Sequence, residues 1–172
     1  ERKRSLHEGG IRVPGLLVWP ERITKSSIST VPCVTSDYLP TILDIVGEDL
    51  GSWPVELDGS SLLPLINGEE LHRKEAIGFA FGSQIAYIDT KYKLYCRDSV
   101  FSYYDMESDP FEEHDITDRF KVERDSYLDQ NIDWLNRCEK SFKGSEYGTE
   151  SVRRMSQKWQ NPLKKKKNKK NV

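Results

Sequence analysis

The sequence holds little cysteine, and what it holds is arranged unhelpfully for chemistry. Cys33, Cys96 and Cys138 are odd in number and far apart, and none stands in a C-x-x-C or Cys/His pattern. A zinc site or dithiol redox centre is therefore not expected, and the three thiols read as buried or free. There is no run of about 18 apolar residues, so no transmembrane helix is expected. Residues 1–6 are charged and no apolar segment follows them, so a signal peptide is not expected either. The chain opens at Glu1-Arg2-Lys3-Arg4 rather than at Met, which leads us to expect an upstream segment and leaves the compartment unread. Neither G-x-G-x-x-G nor a P-loop occurs. His7, His72 and His114 lack a local nucleophile signature, so a Ser–His–Asp site is unsupported.

What is present is a polar chain able to build a modest core. Hydrophobic residues make up 36% and charged residues 31%, and four Trp, eight Tyr and six Phe argue against wholesale disorder. The formal charge of −2 hides an asymmetry. Residues 163–172 carry six lysines, and removing them leaves −8 on the remainder. Like charges repel in such a tail, and no aromatic interleaves with the lysines as a base-stacking platform would need. We therefore expect residues 143–172 to be a disordered, Lys-rich tail, and no nucleic acid as partner.

Residue periodicity outlines the elements. Ile11–Trp19 contains the continuous run Leu16-Leu17-Val18-Trp19, the pattern of a strand buried on both faces. Residues 36–46 predict a helix, capped by Ser36 or Asp37, with Pro40 in its first turn and Gly47 as its stop. Its apolar stripe is Leu39, Ile42, Leu43 and Val46. Residues 48–74 read as loop, with a short helical turn within Ser60–Ile66. Strand-like runs at 75–81, 84–89, 91–96 and 100–104 predict an antiparallel meander with a tight turn at Asp89-Thr90-Lys91. Residues 121–142 predict the longest helix, with Leu128, Ile132, Leu135, Cys138 and Phe142 on one face.

Chemistry is sparse. Glu69-Glu70 and the acidic run from Asp109 to Asp115 sit beside Pro and Gly and read as solvated loops. The segment Lys3 to Pro14 is more informative. Gly9-Gly10 permits crowded backbone, and Lys3, Glu8 and Arg12 flank it before an apolar strand. Such a turn can hold a cation at a sheet rim where an anion could bind. On these residues alone a structural turn and a binding site both remain open.

Lys3, Glu8-Gly9-Gly10, Arg12-Val13-Pro14 and Trp19-Pro20 together resemble the K-x-x-x-x-E-G-G-x-R-V-P segment of type I sulfatases. Further stretches resemble that family in the same order. They are Asp37-Tyr38-Leu39-Pro40-Thr41, Asp58-Gly59-Ser60-Ser61-Leu62-Leu63-Pro64-Leu65-Ile66-Asn67-Gly68, Tyr92-Lys93-Leu94, and Tyr104-Asp105-Met106-Glu107-Ser108-Asp109-Pro110-Phe111-Glu112. The resemblance covers about residues 3–117 and implies an arylsulfatase-like hydrolase of the alkaline-phosphatase-like superfamily. The implied fold is an α/β fragment: residues 1–74 as the end of the central mixed sheet of the catalytic core, and residues 75–142 as a C-terminal α+β subdomain with a small antiparallel sheet and a covering helix.

The resemblance also implies a reaction: hydrolysis of sulfate esters by a formylglycine nucleophile with Ca2+ and basic residues holding the sulfate. Lys3 matches the family's sulfate-binding lysine, and Glu8, Gly9, Gly10 and Arg12 shape its turn. The implied partner is a sulfated small molecule or glycan, and family members are often secreted, periplasmic or lysosomal. No Cys or Ser here fits C/S-x-P-x-R, and the family's Ca2+ ligands fall upstream of Lys3. This chain alone is therefore expected to be inactive, and its Leu16–Trp19 strand to expose apolar surface. A phosphodiesterase or phosphonate hydrolase of the same superfamily and a non-catalytic binding module are the alternative readings. A basic-tailed nucleic-acid binder ranks below them.

Overall fold

The computed structural model describes residues 3–53, 56–71, 73, 76–119 and 121–144. Most of the predicted Lys-rich tail thus lies outside the described residues. The chain divides into two units, one of Glu1–Arg12 with Gly78–Val172 and one of Val13–Ile77.

The first unit is built on the predicted meander. Strands β1 (Ile77–Phe81), β2 (Gln84–Ile88), β3 (Tyr92–Arg97) and β4 (Val100–Asp105) form one sheet in sequence order. Local chemistry sets each turn. Gly82 supplies φ of +62° between β1 and β2. At Asp89 the carboxylate accepts the backbone N–H groups of Lys91 and Tyr92, each at 2.6 Å. Asp98 and Ser99 both take positive φ, as the two-residue hairpin between β3 and β4 requires.

Register then decides which side chains share a face. Ile85 lies opposite Cys96, Ala86 opposite Tyr95, and Lys93 opposite Tyr104. Since strand side chains alternate, Gln84, Ala86, Lys93, Tyr95 and Tyr104 line one face. Ile85, Tyr87, Leu94, Cys96 and Tyr103 line the other. The first face packs Ala86, Tyr95 and Tyr104 around Leu6, with Ile11, Phe79 and Met106 beside them. The second packs Ile85 and Cys96 against Leu135 of helix α4 (Lys121–Phe142), with Phe101 and Trp134 alongside. The Tyr127 ring of α4 meets Tyr87 and Tyr103 edge-on.

Helix α4 occupies the expected residues and turns most of the expected face inward, with Leu128, Cys138 and Phe142 half-buried. Leu135 is fully buried, whereas Ile132, expected on the apolar face, is exposed, and Asn131 is buried instead. A Cβ added at Gly78 would lie 2.4 Å from the Trp134 ring, so the indole occupies space that only glycine leaves open. Trp134 thus packs beside Leu135 against the second face of the sheet.

Short elements make up the second unit. Helix α2 (Tyr38–Ile45) follows a 3-10 turn at Thr35–Asp37, and α3 (Leu63–Ile66) falls inside the expected helical turn. Gly47 ends the α2 region at φ of +82°, as expected. Asp37, however, makes no side-chain cap on α2. Its fully buried carboxylate instead accepts two guanidinium bonds from Arg73, at 2.8 and 2.9 Å, and the N–H groups of Ser60 and Val34. Burial alone would raise the Asp37 pKa, but the Arg73 bond and the two amides outweigh it and hold the carboxyl below its ordinary value.

Two apolar stretches of this unit face solvent. Ile11–Trp19 is not a strand, and Leu16 is 92% exposed. An inner strand needs hydrogen-bonded neighbours on both sides, and none of the described strands pairs with it. Within the α2 stripe Leu43 is buried, but Leu39, Ile42 and Val46 are exposed. The expected exposure of apolar surface is thus present, and it extends to the helix.

Candidate functional site

The Lys3–Arg12 segment lies on the first face of the sheet, within the same unit. It folds as a turn at Lys3-Arg4, an extended stretch, and the four-residue helix α1 (Glu8–Ile11). The glycines of Glu8-Gly9-Gly10-Ile11 therefore sit in a helical turn. The N–H groups of Gly10 and Ile11 close onto the His7 carbonyl, and that of Arg12 onto Glu8. Arg12 is exposed, with its guanidinium 4.0 Å from the Glu8 carboxylate. Lys3 is exposed on the turn that leads in.

Two polar anchors hold this segment. At its front, the Gln84 side chain donates to the Arg4 carbonyl at 3.0 Å and accepts from the Leu6 N–H at 3.2 Å and the Tyr95 hydroxyl at 3.1 Å. At its rear, Lys93 is fully buried between two acids. Its Nζ lies 2.9 Å from Glu8 Oε1 and 2.7 Å from Glu112 Oε1. The Glu112 approach lies off the hydrogen-bond direction, so that contact is an ion pair rather than an aligned bond. Glu112 Oε2 accepts the Glu8 N–H at 2.8 Å and sits 3.1 Å from His7 Nδ1. The His7 ring packs on Tyr95 with centroids 4.0 Å apart. Burial pushes the Tyr104 phenol on this face up from its ordinary value. Beside the anchor, His7, Glu8, Gly9, Phe111 and Glu112 line a cleft of about 300 Å³.

Sequence reasoning treated Lys3, Glu8, Gly9, Gly10 and Arg12 as one segment, and gave no role to Gln84, Lys93 or Glu112. Lys93 and Glu112 were visible as motif residues in Tyr92-Lys93-Leu94 and Asp109-Pro110-Phe111-Glu112. Their pairing with Glu8 joins residues 85 and 104 positions apart, which spacing along the chain does not reveal. Gln84 carries no sequence signal at all.

These residues do not offer a calcium site. The Lys93 ammonium already lies against Glu8 Oε1 and Glu112 Oε1, and it would repel a second cation placed at the same two oxygens. Among the described residues, Asp109, Glu113 and His114 have ligand atoms within 4.8 Å of one another. Calcium takes about six to eight oxygens, and the Asp109 carboxylate there is occupied by the Glu113 and His114 N–H groups. No described helix is long and apolar enough to cross a membrane.

Human arylsulfatase D is 35% identical over 77 residues, 45% of this chain and 13% of that protein. Choline-sulfatase of Rhizobium meliloti is 29% identical over 117 residues, 64% of this chain and 22% of that protein. A solved 2-O GAG sulfatase superposes on 63% of this chain and 26% of its own, at 22% identity and a TM-score of 0.43. The chain thus corresponds to a minor share of the length of these relatives. The model of the family described as N-sulphoglucosamine sulphohydrolase, C-terminal, matches residues 2–135, and the chain belongs to that sulfatase family.

Proposed function

We propose that the complete gene product carrying this chain hydrolyses sulfate esters, aryl sulfates or sulfated sugars, and that this chain contributes Lys3 as a sulfate contact. The family match over residues 2–135, which takes in the whole Lys3–Arg12 segment, carries the reading. Cleaving a sulfate ester gathers negative charge on the sulfuryl and leaving oxygens. An ammonium fixed beside them is worth more in the transition state than in the ground state. Glu8, Gly9, Gly10 and Arg12 shape the turn behind Lys3 rather than touching the reacting atoms. The sister proposal is that formylglycine and Ca2+ serve this reaction. Formylglycine supplies the attacking oxygen when present, and the residues for both would come from outside this chain.

The test is hydrolysis of p-nitrophenyl sulfate by the complete gene product, with p-nitrophenyl phosphate alongside. Sulfate-ester turnover is expected, and Lys3→Ala should lower kcat by about 10²- to 10³-fold, the usual cost of one lost transition-state donor. Turnover of the phosphate ester alone, or turnover indifferent to Lys3→Ala, would overturn the reading.

A further inference from the structure

We propose that Gln84 is a positioning residue for Lys3, an inference that rests on the reading of Lys3 as a sulfate contact. Lys3 is exposed and long, and such a side chain loses considerable freedom on binding unless its backbone is already fixed. Gln84 fixes that backbone. A primary amide carries the same donor and acceptor as a peptide group. Here it spends both on the main chain flanking Ser5, donating to the Arg4 carbonyl and accepting from the Leu6 N–H. The grip begins one residue after Lys3. It imitates a neighbouring strand where, among the described strands, none pairs with the segment.

Three further observations point the same way. Gln84 is buried, and its side-chain oxygen also accepts the Tyr95 hydroxyl, which locks the amide orientation. It begins β2, opposite Arg97 in register, so its own backbone is held by the sheet. Arg4 sits at φ of +75°, a conformation an L side chain holds only when its surroundings impose it. The Gln84 bond to the Arg4 carbonyl supplies such an imposition. Behind this grip, Lys93 and Glu112 pin Glu8 to the same face, so the segment is held at both ends and Lys3 projects from its front.

The experiment compares Gln84→Met and Gln84→Glu with the unaltered gene product. Met keeps the length and loses all three bonds, to Arg4, Leu6 and Tyr95. Glu keeps the acceptor but turns an oxygen against the Arg4 carbonyl. The readouts are competitive inhibition by inorganic sulfate, kcat and KM on p-nitrophenyl sulfate, and amide exchange along residues 3–12 and 92–105. Both variants should weaken sulfate inhibition at least tenfold and speed exchange in residues 3–12, with residues 92–105 unchanged. Combined with Lys3→Ala, Gln84→Met should cost less than a further twofold, because a residue acting through Lys3 has nothing left to position.

Unchanged sulfate inhibition overturns the proposal, even with faster local exchange. So does faster exchange spread equally through residues 92–105, which would make Gln84 a general support of the sheet. Full additivity with Lys3→Ala overturns it as well. An unaltered protein that turns over no sulfate ester defeats the sulfatase reading itself, a result obtained before any Gln84 variant is made.

Discussion

Asp37 shows how a residue placed by its local signal is claimed by a distant partner. Its neighbours suggest a helix cap, yet its carboxylate binds Arg73, thirty-six positions away, in the second unit. The pairing depresses its pKa, which fixes the sign of the pH dependence. A carboxyl whose folded value lies below its unfolded one stabilises the fold above the unfolded value, near 3.8, and that contribution fades as pH falls through the lower folded value. Urea midpoints measured from pH 6 down to pH 2 should drop across that acid window, and Asp37→Asn should flatten this part of the profile. Removing the charge leaves Arg73 buried and unpaired, so the same variant should cost about 3–5 kcal/mol at neutral pH. A cost below about 1 kcal/mol would show that Arg73 finds other partners.

Asn131 makes the opposite case. Both polar atoms of its buried side chain lack a hydrogen-bond partner. It sits among Ile85, Leu94, Cys96 and Phe101. An amide buried without partners costs about 1–3 kcal/mol. Asn131→Leu, which keeps the branched shape, should therefore raise the denaturation midpoint, and a lowered midpoint would mean the amide is satisfied in solution.

At the scale of elements, the meander was legible because its signals are local. The Ile, Phe and Tyr content of 75–104, the close spacing of its runs and the Asp89 turn are all short-range signals, and the four strands formed close to where those signals placed them. Helix α4 was legible in extent and in most of its inner face, with exposed Ile132 and buried Asn131 as the exceptions. The seat of its Trp134 is the gap over Gly78, which belongs to another element and is not visible along the helix. Gly78→Ala should destabilise the first unit by about 1–3 kcal/mol through overpacking. Coupling with Trp134→Leu, which vacates the gap, should recover much of that loss in a double-mutant cycle. Additive losses would place the strain elsewhere.

The predicted strand at Ile11–Trp19 fails at this scale for a different reason. A strand buried on both faces is defined by its neighbours, and the described strands pair among themselves. Val13, Leu16, Leu17 and Val18 therefore stay exposed, as do Leu39, Ile42 and Val46 of α2.

For the molecule as a whole, that exposure predicts self-association. Val13, Leu16, Val18, Ile28, Ile42 and Val46 are all more than half exposed, and apolar surface of this kind marks contacts or aggregation. Light scattering of this chain should rise with concentration at moderate salt. Leu16→Ser combined with Ile42→Gln should reduce it without lowering the denaturation midpoint. Scattering indifferent to the pair would acquit these residues.

What the sequence determined by itself was everything carried by short-range pattern: the antiparallel meander, the extents of α2 and α4, and the motif order that resembles a sulfatase. Those depend on neighbours within a turn or a hairpin, and the chain fixes such neighbours directly. Only the tertiary structure decided what clamps the Lys3–Arg12 segment. Glu8 meets Lys93 and Glu112, and Arg4 and Leu6 meet Gln84, across 78 to 104 residues. Those encounters follow from strand register, because a slip of one residue would send Gln84 and Lys93 to the opposite face and leave the segment without either anchor.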